Sequence, residues 1–412
     1  MSGSARATEV GRSPVGLYVH IPFCVSLCPY CDFVVYTGAL TRGPRARVGG
    51  AFIAALLAEV ELRAAGRSAD APPLQTVYFG GGTPSLLPSD AVAEILAHIR
   101  ERFGLVEDAE VTLEANPGPD ERGDPHALRR AGVTRISYGA QSLDDAELRR
   151  VGRRHRAGDV ADAVAGARAA GVGSINVDLL YDIPGGTVAT WMDTLDAALA
   201  LAPDHLALYA LGLDDPDAEG LTGPLGDHLP VRAGARRWRE AARSAQDEDR
   251  AAAQYHHAVL RLGDDGFHGY EISNWARPGH ESRHNLAYWR REPYAAVGPG
   301  AHAFDGAVRR WNAARLDGYL AALAPADPST VPPAMPPGGS EAVTPEIAAV
   351  ETVMLGLRLD TGVPLAAAHQ PPLSDHFGWA LAAELIEVTE DDRIVLTTRG
   401  RLLSNELFSR LV

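Results

Sequence analysis

The chain has 412 residues, of which 46% are hydrophobic and 22% are charged, a balance typical of a globular protein with a large buried core. Its formal net charge of -15 argues against a general nucleic-acid binder, which needs a basic surface. All 38 Lys and Arg positions are arginine, which excludes both a P-loop lysine and a lysine Schiff base.

Membrane insertion and secretion are not expected. No apolar run reaches the roughly 18–20 residues of a membrane span, and the polar segment 1–14 lacks the apolar core of a signal peptide. The chain has only three cysteines, which cannot form an even disulfide framework. We therefore expect a cytoplasmic protein without a transmembrane segment, whose residues 1–15 form a flexible N-terminal tail.

From residue 16 onward, β-rich segments alternate with helical segments. Strands are predicted over 16–21, 76–79, 110–114, 135–138, 174–181 and 205–211. Helices are predicted over 89–103, 161–170 and 190–201, and Ser89 is placed to cap the first of them. The apolar face of that helix comprises Val92, Ile95, Leu96, Ile99 and Phe103. Strand and helix alternating in this way predict an α/β fold, a partial (βα)6 barrel of parallel strands.

The second half of the chain predicts a surface excursion and a small separate domain. Residues 214–255 are charged and helical, and the segment 325–345, which is rich in Pro, Ala, Ser and Gly, predicts a linker. Helices over 346–357 and 379–385, a hairpin of 386–389 with 393–397 and a last helix indicate a winged-helix-like α+β domain. The acidic hairpin tip, 390–392, argues against DNA binding. The expected divisions are 1–15, 16–305, 306–345 and 346–412.

Chemistry-bearing residues follow the predicted strands at one end. A cysteine loop follows the first strand, the glycine-rich turn 80–84 follows the second, and Glu114 ends the third. Gln141 follows the fourth strand, and Asp178 lies within the fifth. Because the carboxyl ends of parallel barrel strands share one face, we expect a functional site there.

Cys24, Cys28 and Cys31 have the spacing C-x3-C-x2-C, and no fourth cysteine exists. A structural zinc site would need a fourth ligand, for which His20 is a candidate, although it lies inside a predicted strand. An iron-sulfur cubane held by three thiolates would instead leave one iron open to an external ligand. We favour the open cluster, and zinc stays as an alternative.

The sequence of residues 18–24, YVHIPFC, followed by CPYC at 28–31, resembles the radical S-adenosylmethionine (SAM) superfamily, and within it the coproporphyrinogen dehydrogenase-like branch. The resemblance extends from about residue 16 to the C-terminus. It implies a [4Fe-4S] cluster on Cys24, Cys28 and Cys31, with SAM as the ligand of the open iron. In that superfamily the reduced cluster passes an electron into the sulfonium and releases a deoxyadenosyl radical.

The same resemblance implies a set of cofactor contacts. Glycines suit such a site because a backbone without Cβ lets a ligand come close. Glu114 would accept hydrogen bonds from the ribose hydroxyls, and Arg153 offers a forked cation for a carboxylate. The implied cofactor-binding residues are Tyr18, Tyr30, Gly81, Gly82, Thr83, Glu114, Gln141, Arg153, Asp178 and Gly212.

Two departures from the dehydrogenases resemble the HemW-type heme chaperones. Phe33 stands where the dehydrogenases carry an additional cysteine, and only residues 1–15 precede the first strand. Residues 284–289 match the H-N-x-x-Y-W signature associated with heme in the chaperones. This match implies heme binding by His284, Asn285, Tyr288 and Trp289. Imidazole is a good axial ligand of iron, and His302 is a rival to His284.

The sequence therefore predicts a radical-SAM-type heme chaperone that binds a [4Fe-4S] cluster, SAM and heme. It would deliver heme to respiratory acceptor proteins and take electrons from a donor such as a flavodoxin or ferredoxin. The first alternative is an oxygen-independent coproporphyrinogen III dehydrogenase, which Phe33 disfavours. A radical methyltransferase and a zinc-stabilised interaction module are further alternatives. Enzymatic activity is left open.

Overall fold

The computed structural model describes residues 12–38, 46–68, 70–324 and 332–412. Most of the tail expected over 1–15 lies outside these residues. All six expected strands form and pair in parallel with their chain neighbours. They are β1 Gly16–Ile21, β2 Leu74–Gly81, β3 Leu105–Ala115, β4 Arg135–Gln141, β5 Ser174–Tyr181 and β6 His205–Ala210. The predicted parallel α/β architecture is confirmed.

Helices cover the sheet between these strands. They are α1 Ala46–Ala64, α2 Ser89–Phe103, α3 Pro125–Ala131, α4 Asp145–Arg150, α5 Ala157–Ala169 and α6 Val188–Ala200. Helix α2 has the expected bounds, and its expected apolar face is buried. The expected cap is wrong: Pro88 occupies the N-cap position, Ser89 is already helical, and no side chain caps the end.

The sheet continues beyond the six strands. The chain proceeds through α7 Ala233–Arg243, α8 Glu248–Asp264, β7 His268–Gly269, β8 Asn274–Ala276, α9 Arg283–Trp289, β9 Tyr294–Val297, β10 His302–Phe304, β11 Val308–Asn312, α10 Leu316–Leu323 and β12 Gly338–Ala342. Over the described residues the strand order is β12-β11-β10-β9-β1-β2-β3-β4-β5-β6-β8-β7. Strand β9 pairs in parallel with β1, while β6 pairs with β8, so the barrel stays open between β1 and β6.

Part of the expected linker is a strand. Residues 325–331 lie outside the described residues, but 338–342 form β12, antiparallel to β11. A Cβ on Gly339 would overlap the ring of Trp311, so the glycines that suggest a linker are needed for close packing. The expected division at 305 falls within the β10–β11 hairpin, and the segment after it therefore belongs to the large sheet.

The C-terminal region forms its own small core. Its elements are α11 Pro345–Arg358, β13 Val363–Pro364, α12 Phe377–Ala382, β14 Ile386–Val388, β15 Arg393–Leu396, α13 Thr398–Leu402 and α14 Ser404–Leu411. The strands form an antiparallel sheet in the order β13-β15-β14. Val353, Leu357, Ile394 and Leu407 are among its buried residues. Among the described residues, no helix is both long and apolar enough to cross a membrane.

A buried carboxylate joins α1 to the outer half of the sheet. Glu59 is fully buried and pairs with Arg63 at 2.9 Å. It also accepts hydrogen bonds at 2.8 Å from the backbone N–H of Gly298, the amide of Asn312 and the hydroxyl of Tyr319. These bonds fix the loop before β10, the end of β11 and helix α10 around one carboxylate.

Replacing Glu59 by alanine should strongly destabilise the fold. The change leaves buried donors without a partner, including the Arg63 guanidinium, and should cost roughly 3–5 kcal/mol. Chemical denaturation of the Glu59→Ala variant measures the loss in the free energy of unfolding. The exposed Glu101 is a matched control, and Glu101→Ala should leave stability nearly unchanged. Equal stability of the two variants would contradict the proposed role of Glu59.

Candidate functional site

A cavity of about 670 Å³ lies at the carboxyl ends of the parallel strands. Its walls bring together most of the residues expected to form a site. They include Cys24, Cys28, Cys31, Tyr30, Gly81, Gly82, Thr83, Glu114, Gln141, Arg153, Asp178 and Gly212. Tyr18 differs from this expectation, because it lies on a second cavity and does not line this one. We call the first space the cysteine cavity.

The cysteine loop leaves β1 and returns beside it. The N–H of Tyr36 donates to the carbonyl of Pro22 at 2.6 Å, and the N–H of Cys24 donates to the carbonyl of Tyr36 at 3.0 Å. A tight turn brings the N–H of Cys31 to the carbonyl of Cys28 at 3.1 Å. All three cysteines are free and only half-buried, so their thiols are available to the cavity.

Helix α7 holds the loop from outside. Arg239 is almost fully buried, and its guanidinium donates to the carbonyl oxygens of Pro29 and Cys31, both at 2.9 Å. The same side chain donates to the carbonyl of Asp214, which follows β6. One arginine therefore fixes the cysteine loop relative to the last parallel strand. Sequence reasoning missed it, because the arginine-rich segment around it resembles an exposed helix.

The thiols suit a cluster better than a single ion. Among the described residues, no three His, Cys, Asp or Glu side chains lie close enough to hold one metal ion. His20 is also engaged: its Nε2 bonds the carbonyl of Val34 at 2.9 Å and its Nδ1 bonds the hydroxyl of Tyr18 at 3.1 Å. Because the three thiols line one cavity of about 670 Å³ and His20 is engaged elsewhere, the site fits an iron-sulfur cubane held by three thiolates.

The glycine turn packs against the end of β1. The N–H of Gly82 donates to the carbonyl of Ile21, and the N–H of Thr83 donates to the carbonyl of Phe23, both at 2.8 Å. A Cβ on Gly82 would lie 2.7 Å from the carbonyl oxygen of Phe23. Gly81 has φ +109, which favours glycine. The protein's own backbone therefore requires these glycines, in addition to any demand of a ligand.

Glu114 is fixed at the end of β3 with its carboxylate on the cavity. It accepts hydrogen bonds from the hydroxyl of Tyr78 at 2.8 Å and the N–H of Gly81 at 2.9 Å. Burial raises the pKa of Glu114 to about 7, although these two bonds act in the opposite direction. The group is thus poised to gain from hydroxyl donors, which stabilise its ionised form.

Asn116 and Glu121 complete a polar network that sequence reasoning did not assign. The amide of Asn116 donates to Thr83 at 3.1 Å and to Glu121 at 2.6 Å. Arg153 donates to Asn116 and, at 2.6 Å, to the carbonyl of Gly139. Its Nη1 lies 3.5 Å from Sγ of Cys28, and Sγ of Cys24 lies 3.3 Å from Oγ1 of Thr83. Two of the thiols are thus held within one network.

Asp178 faces the cavity from the middle of β5. It accepts a 2.6 Å bond from the amide of Asn176 and weaker bonds from the hydroxyl of Ser137. Burial raises its pKa despite these partners. Gln141, at φ 70, and Gly212 lie at the ends of β4 and β6. The face expected from strand order is therefore lined with polar groups.

A second cavity of about 880 Å³ lies on the other side of β1, between β9, β10 and helix α11. We call it the apolar cavity. Tyr288 and Trp289 of the H-N-x-x-Y-W segment line it, as does His302. Phe33 lines both cavities and is 62% exposed, so it stands at their shared border.

His284 lies behind this cavity and does not line it. Its side chain is buried, with Nδ1 2.7 Å from the hydroxyl of Thr76 and Nε2 2.8 Å from the hydroxyl of Tyr288. Burial lowers its pKa to about 3. Both ring nitrogens already have partners in this structure. Asn285 lies in the first turn of α9, where its N–H is capped by Ser282, and it lines neither cavity.

Comparison with known proteins shows the class of protein to which this fold and this site belong. The profile of the radical SAM superfamily matches residues 18–198. In the solved structures, coproporphyrinogen III oxidase (HemN) from Escherichia coli matches with a TM-score of 0.77 at 22% identity, over 98% of this chain and 91% of the other. The likeness of these two structures shows a shared fold. The cysteine cavity and this fold define a radical SAM protein, a class that implies a [4Fe-4S] cluster and SAM.

Two relatives show the family within the radical SAM class to which the chain belongs. Heme chaperone HemW from Mycobacterium tuberculosis is 38% identical over 406 residues, covering 97% of this chain and 95% of the relative. Heme chaperone HemW from Synechocystis is 34% identical over 355 residues, covering 86% of this chain and 80% of the relative. The chain belongs to the HemW family.

The raised pKa of Glu114 predicts that the free energy of unfolding decreases as the pH rises. Below about pH 4.5 the carboxyl is protonated in both the folded and unfolded states, whereas between 4.5 and about 7 the folded state binds more protons. Stability should therefore fall across this range by the order of 1–3 kcal/mol. Glu114→Gln should raise the melting temperature relative to wild type more at pH 8 than at pH 5. Melting curves that shift equally at both pH values would contradict the raised pKa.

Loss of the hydrogen bonds from Arg239 should make the cysteine loop more mobile without unfolding the domain. We expect Arg239→Ala to retain less iron and sulfide per chain after anaerobic reconstitution, with unchanged far-ultraviolet circular dichroism. Arg237 is exposed on the same helix, and Arg237→Ala serves as the matched control. Iron retention equal to that of the control would show that Arg239 does not position the loop.

Proposed function

We propose that this chain is a heme chaperone, which binds heme and passes it to acceptor proteins. The observation that carries the proposal is a large cavity, lined by aromatic side chains and by three histidines, directly beside the cysteine cavity. A heme macrocycle needs such apolar walls together with a ligand for its iron. Near full-length likeness to proteins named heme chaperone HemW supports the same conclusion.

The thiols of Cys24, Cys28 and Cys31 are proposed to hold a [4Fe-4S] cluster. Their common cavity and the match to the radical SAM superfamily support this assignment. When bound, the cluster and SAM supply one-electron chemistry. The residues of the chain would position the thiolates through Arg239 and the network of Asn116 and Arg153.

SAM is proposed to occupy the remainder of the cysteine cavity. Glu114 would accept hydrogen bonds from the ribose hydroxyls, since its carboxylate faces the cavity and is already oriented by Tyr78. Polar groups at the ends of successive strands supply further contacts. The proposed contacts are Tyr30, Gly81, Gly82, Thr83, Gln141, Arg153, Asp178 and Gly212. Tyr18, on the apolar cavity, is proposed to face the heme instead.

The competing function is oxidation of coproporphyrinogen, the activity named for the HemN structure. Phe33 speaks against it. An apolar ring stands where the dehydrogenases carry a cysteine, and this ring borders both cavities. A phenyl ring can neither donate a proton nor take part in thiol chemistry. The proposal for this chain is therefore carriage of heme, with the cluster site retained.

The proposed compartment is the cytoplasm, where a reducing environment keeps three free thiols available. The proposed partners are a respiratory acceptor of heme and an electron donor such as a flavodoxin or ferredoxin. A formal net charge of -15 suits transient docking to basic patches on either partner.

Heme binding by the anaerobically reconstituted protein tests the proposal directly. We expect titration with heme to saturate at one heme per chain, with a shifted Soret band, and the bound heme to pass to an apoprotein acceptor such as apomyoglobin. Serum albumin at the same concentration controls for nonspecific adsorption. No binding above that control, together with anaerobic turnover of coproporphyrinogen, would replace the chaperone function by the oxidase function.

A further inference from the structure

We propose that heme binds in the apolar cavity with His302 as the axial ligand of its iron, and with Arg291 and Arg309 facing its propionates. This assignment rests on the proposed chaperone function and goes beyond it by naming the cavity, the iron ligand and the anion contacts. It also transfers the ligand role from the signature histidine, His284, to a histidine outside the signature.

The two histidines differ in access. His284 is 1% exposed, and both of its ring nitrogens have hydrogen-bond partners, Thr76 and Tyr288. The side chain of His302 is 43% exposed and lines the cavity. Its Nε2 lies 2.7 Å from the carboxylate of Asp227, while its Nδ1 bonds no described residue. An iron ligand requires an imidazole with one nitrogen free. His228 lines the same cavity and also has only its Nδ1 bonded, but its side chain is less exposed, at 29%.

Asp227 orients this ring. The carboxylate bonds His302 through one oxygen and His228 through the other, at 2.7 and 3.0 Å. Burial alone would raise the pKa of Asp227, but the hydrogen bonds from His228 and His302 hold it below its usual range. An ionised carboxylate that accepts the second ring N–H fixes the tautomer of a metal-binding histidine and makes it more basic. Stacking on Trp311, with centroids 6.1 Å apart, further fixes the plane of His302.

Two arginines on the same cavity have unused donors. Arg291 and Arg309 both bond the carboxylate of Glu351. Nη2 of Arg291 is nevertheless buried without a hydrogen-bond partner, and Nε of Arg309 has no hydrogen bond either, although the carboxylate of Glu341 lies 3.6 Å from it. Nε1 of Trp289, a third donor among the lining residues, is also without one. Buried donors without partners are costly, and an anionic ligand such as a propionate would satisfy them.

The remaining walls suit a flat apolar ring. Helix α11 presents a single face to the cavity, at helical spacing: Ile347, Val350, Glu351, Met354 and Leu355. Tyr288, Trp289, Tyr294 and Phe304 line the cavity from the large sheet and α9. The guanidinium of Arg358 lies 4.3 Å from the centroid of the Trp289 ring and supports it. The C-terminal domain therefore forms one wall of the proposed heme site.

The acidic residues that line the cavity affect how strongly it can bind an anionic ligand. Glu292, Glu346 and Glu351 line it together with Asp227, and Glu346 is exposed. Glu351 bonds Nε of Arg291 and Nη2 of Arg309, so its negative charge repels a propionate that approaches the remaining donors of these two side chains. Removal of its charge should therefore strengthen heme binding, whereas a purely structural ion pair would give no such gain.

The first experiment titrates wild type, His302→Ala, His284→Ala and the control His257→Ala with heme and, in parallel, with iron-free protoporphyrin IX. His257 is exposed on α8 and lines neither cavity. His302→Ala should weaken heme binding by about 100-fold and change the Soret band, while protoporphyrin binding stays at the wild-type value. Protoporphyrin binding also reports that the variant is folded. Asp227→Asn should weaken heme binding by about tenfold.

The second experiment compares Glu351→Gln with Glu341→Gln. Glu341 also approaches Arg309, at 3.6 Å, but does not line the cavity. Glu351→Gln should tighten heme binding by about tenfold, and Glu341→Gln should not. Unchanged heme binding in His302→Ala, with loss in His284→Ala, would overturn the assignment while the chaperone function stands. Absence of heme binding by the wild-type protein would refute the chaperone function itself.

Discussion

The close approach of β1 and β2 at their carboxyl ends is the constraint on which both cavities depend. Two backbone hydrogen bonds, from Gly82 to Ile21 and from Thr83 to Phe23, hold the strand ends together where a Cβ has no room. The cysteine loop starts at this point, and Thr83 reaches Cys24 from it. At the same strand ends the ring of His20 packs against Gly81, where a Cβ would lie 2.4 Å from it, and His20 and Tyr18 line the apolar cavity.

Side chains of β2 and α9 bridge the two cavities. Tyr78 bonds Glu114 on the cysteine cavity, and its ring stacks on His284 with centroids 5.2 Å apart. His284 in turn bonds Tyr288, which lines the apolar cavity. The signature histidine thus lies in the wall between the sites, where it fixes the tyrosine of its own motif. The two residues are at helical spacing, i and i+4, which places their side chains next to each other on α9.

Local patterns in the sequence were enough to predict the architecture and most residues of the cysteine cavity. Strand-helix alternation predicted β1 and β5 with the observed bounds, and residues after each strand met on one face because parallel strands end together.

Contacts between residues far apart in the chain could not be predicted in this way. Arg239 reaches the cysteine loop across more than 200 residues, and no local pattern marks it. The glycines of β12 suggested a linker because their packing against Trp311 is a tertiary contact. Tyr18 lies within a recognised motif and His302 was recognised as a rival ligand, but the cavity that holds them forms only when α11 packs against the sheet.

The central proposal places SAM in the cysteine cavity and heme in the apolar cavity, with Phe33 at their border, so that both ligands bind at the same time and independently. The most direct measurement is the affinity for SAM of the cluster-loaded protein, by isothermal titration calorimetry, with and without one equivalent of heme. An unchanged dissociation constant for SAM, with iron and sulfide content retained, is the predicted result. Displacement of SAM by heme, or loss of the cluster on heme binding, would show that a single site serves both and would contradict the two-cavity arrangement.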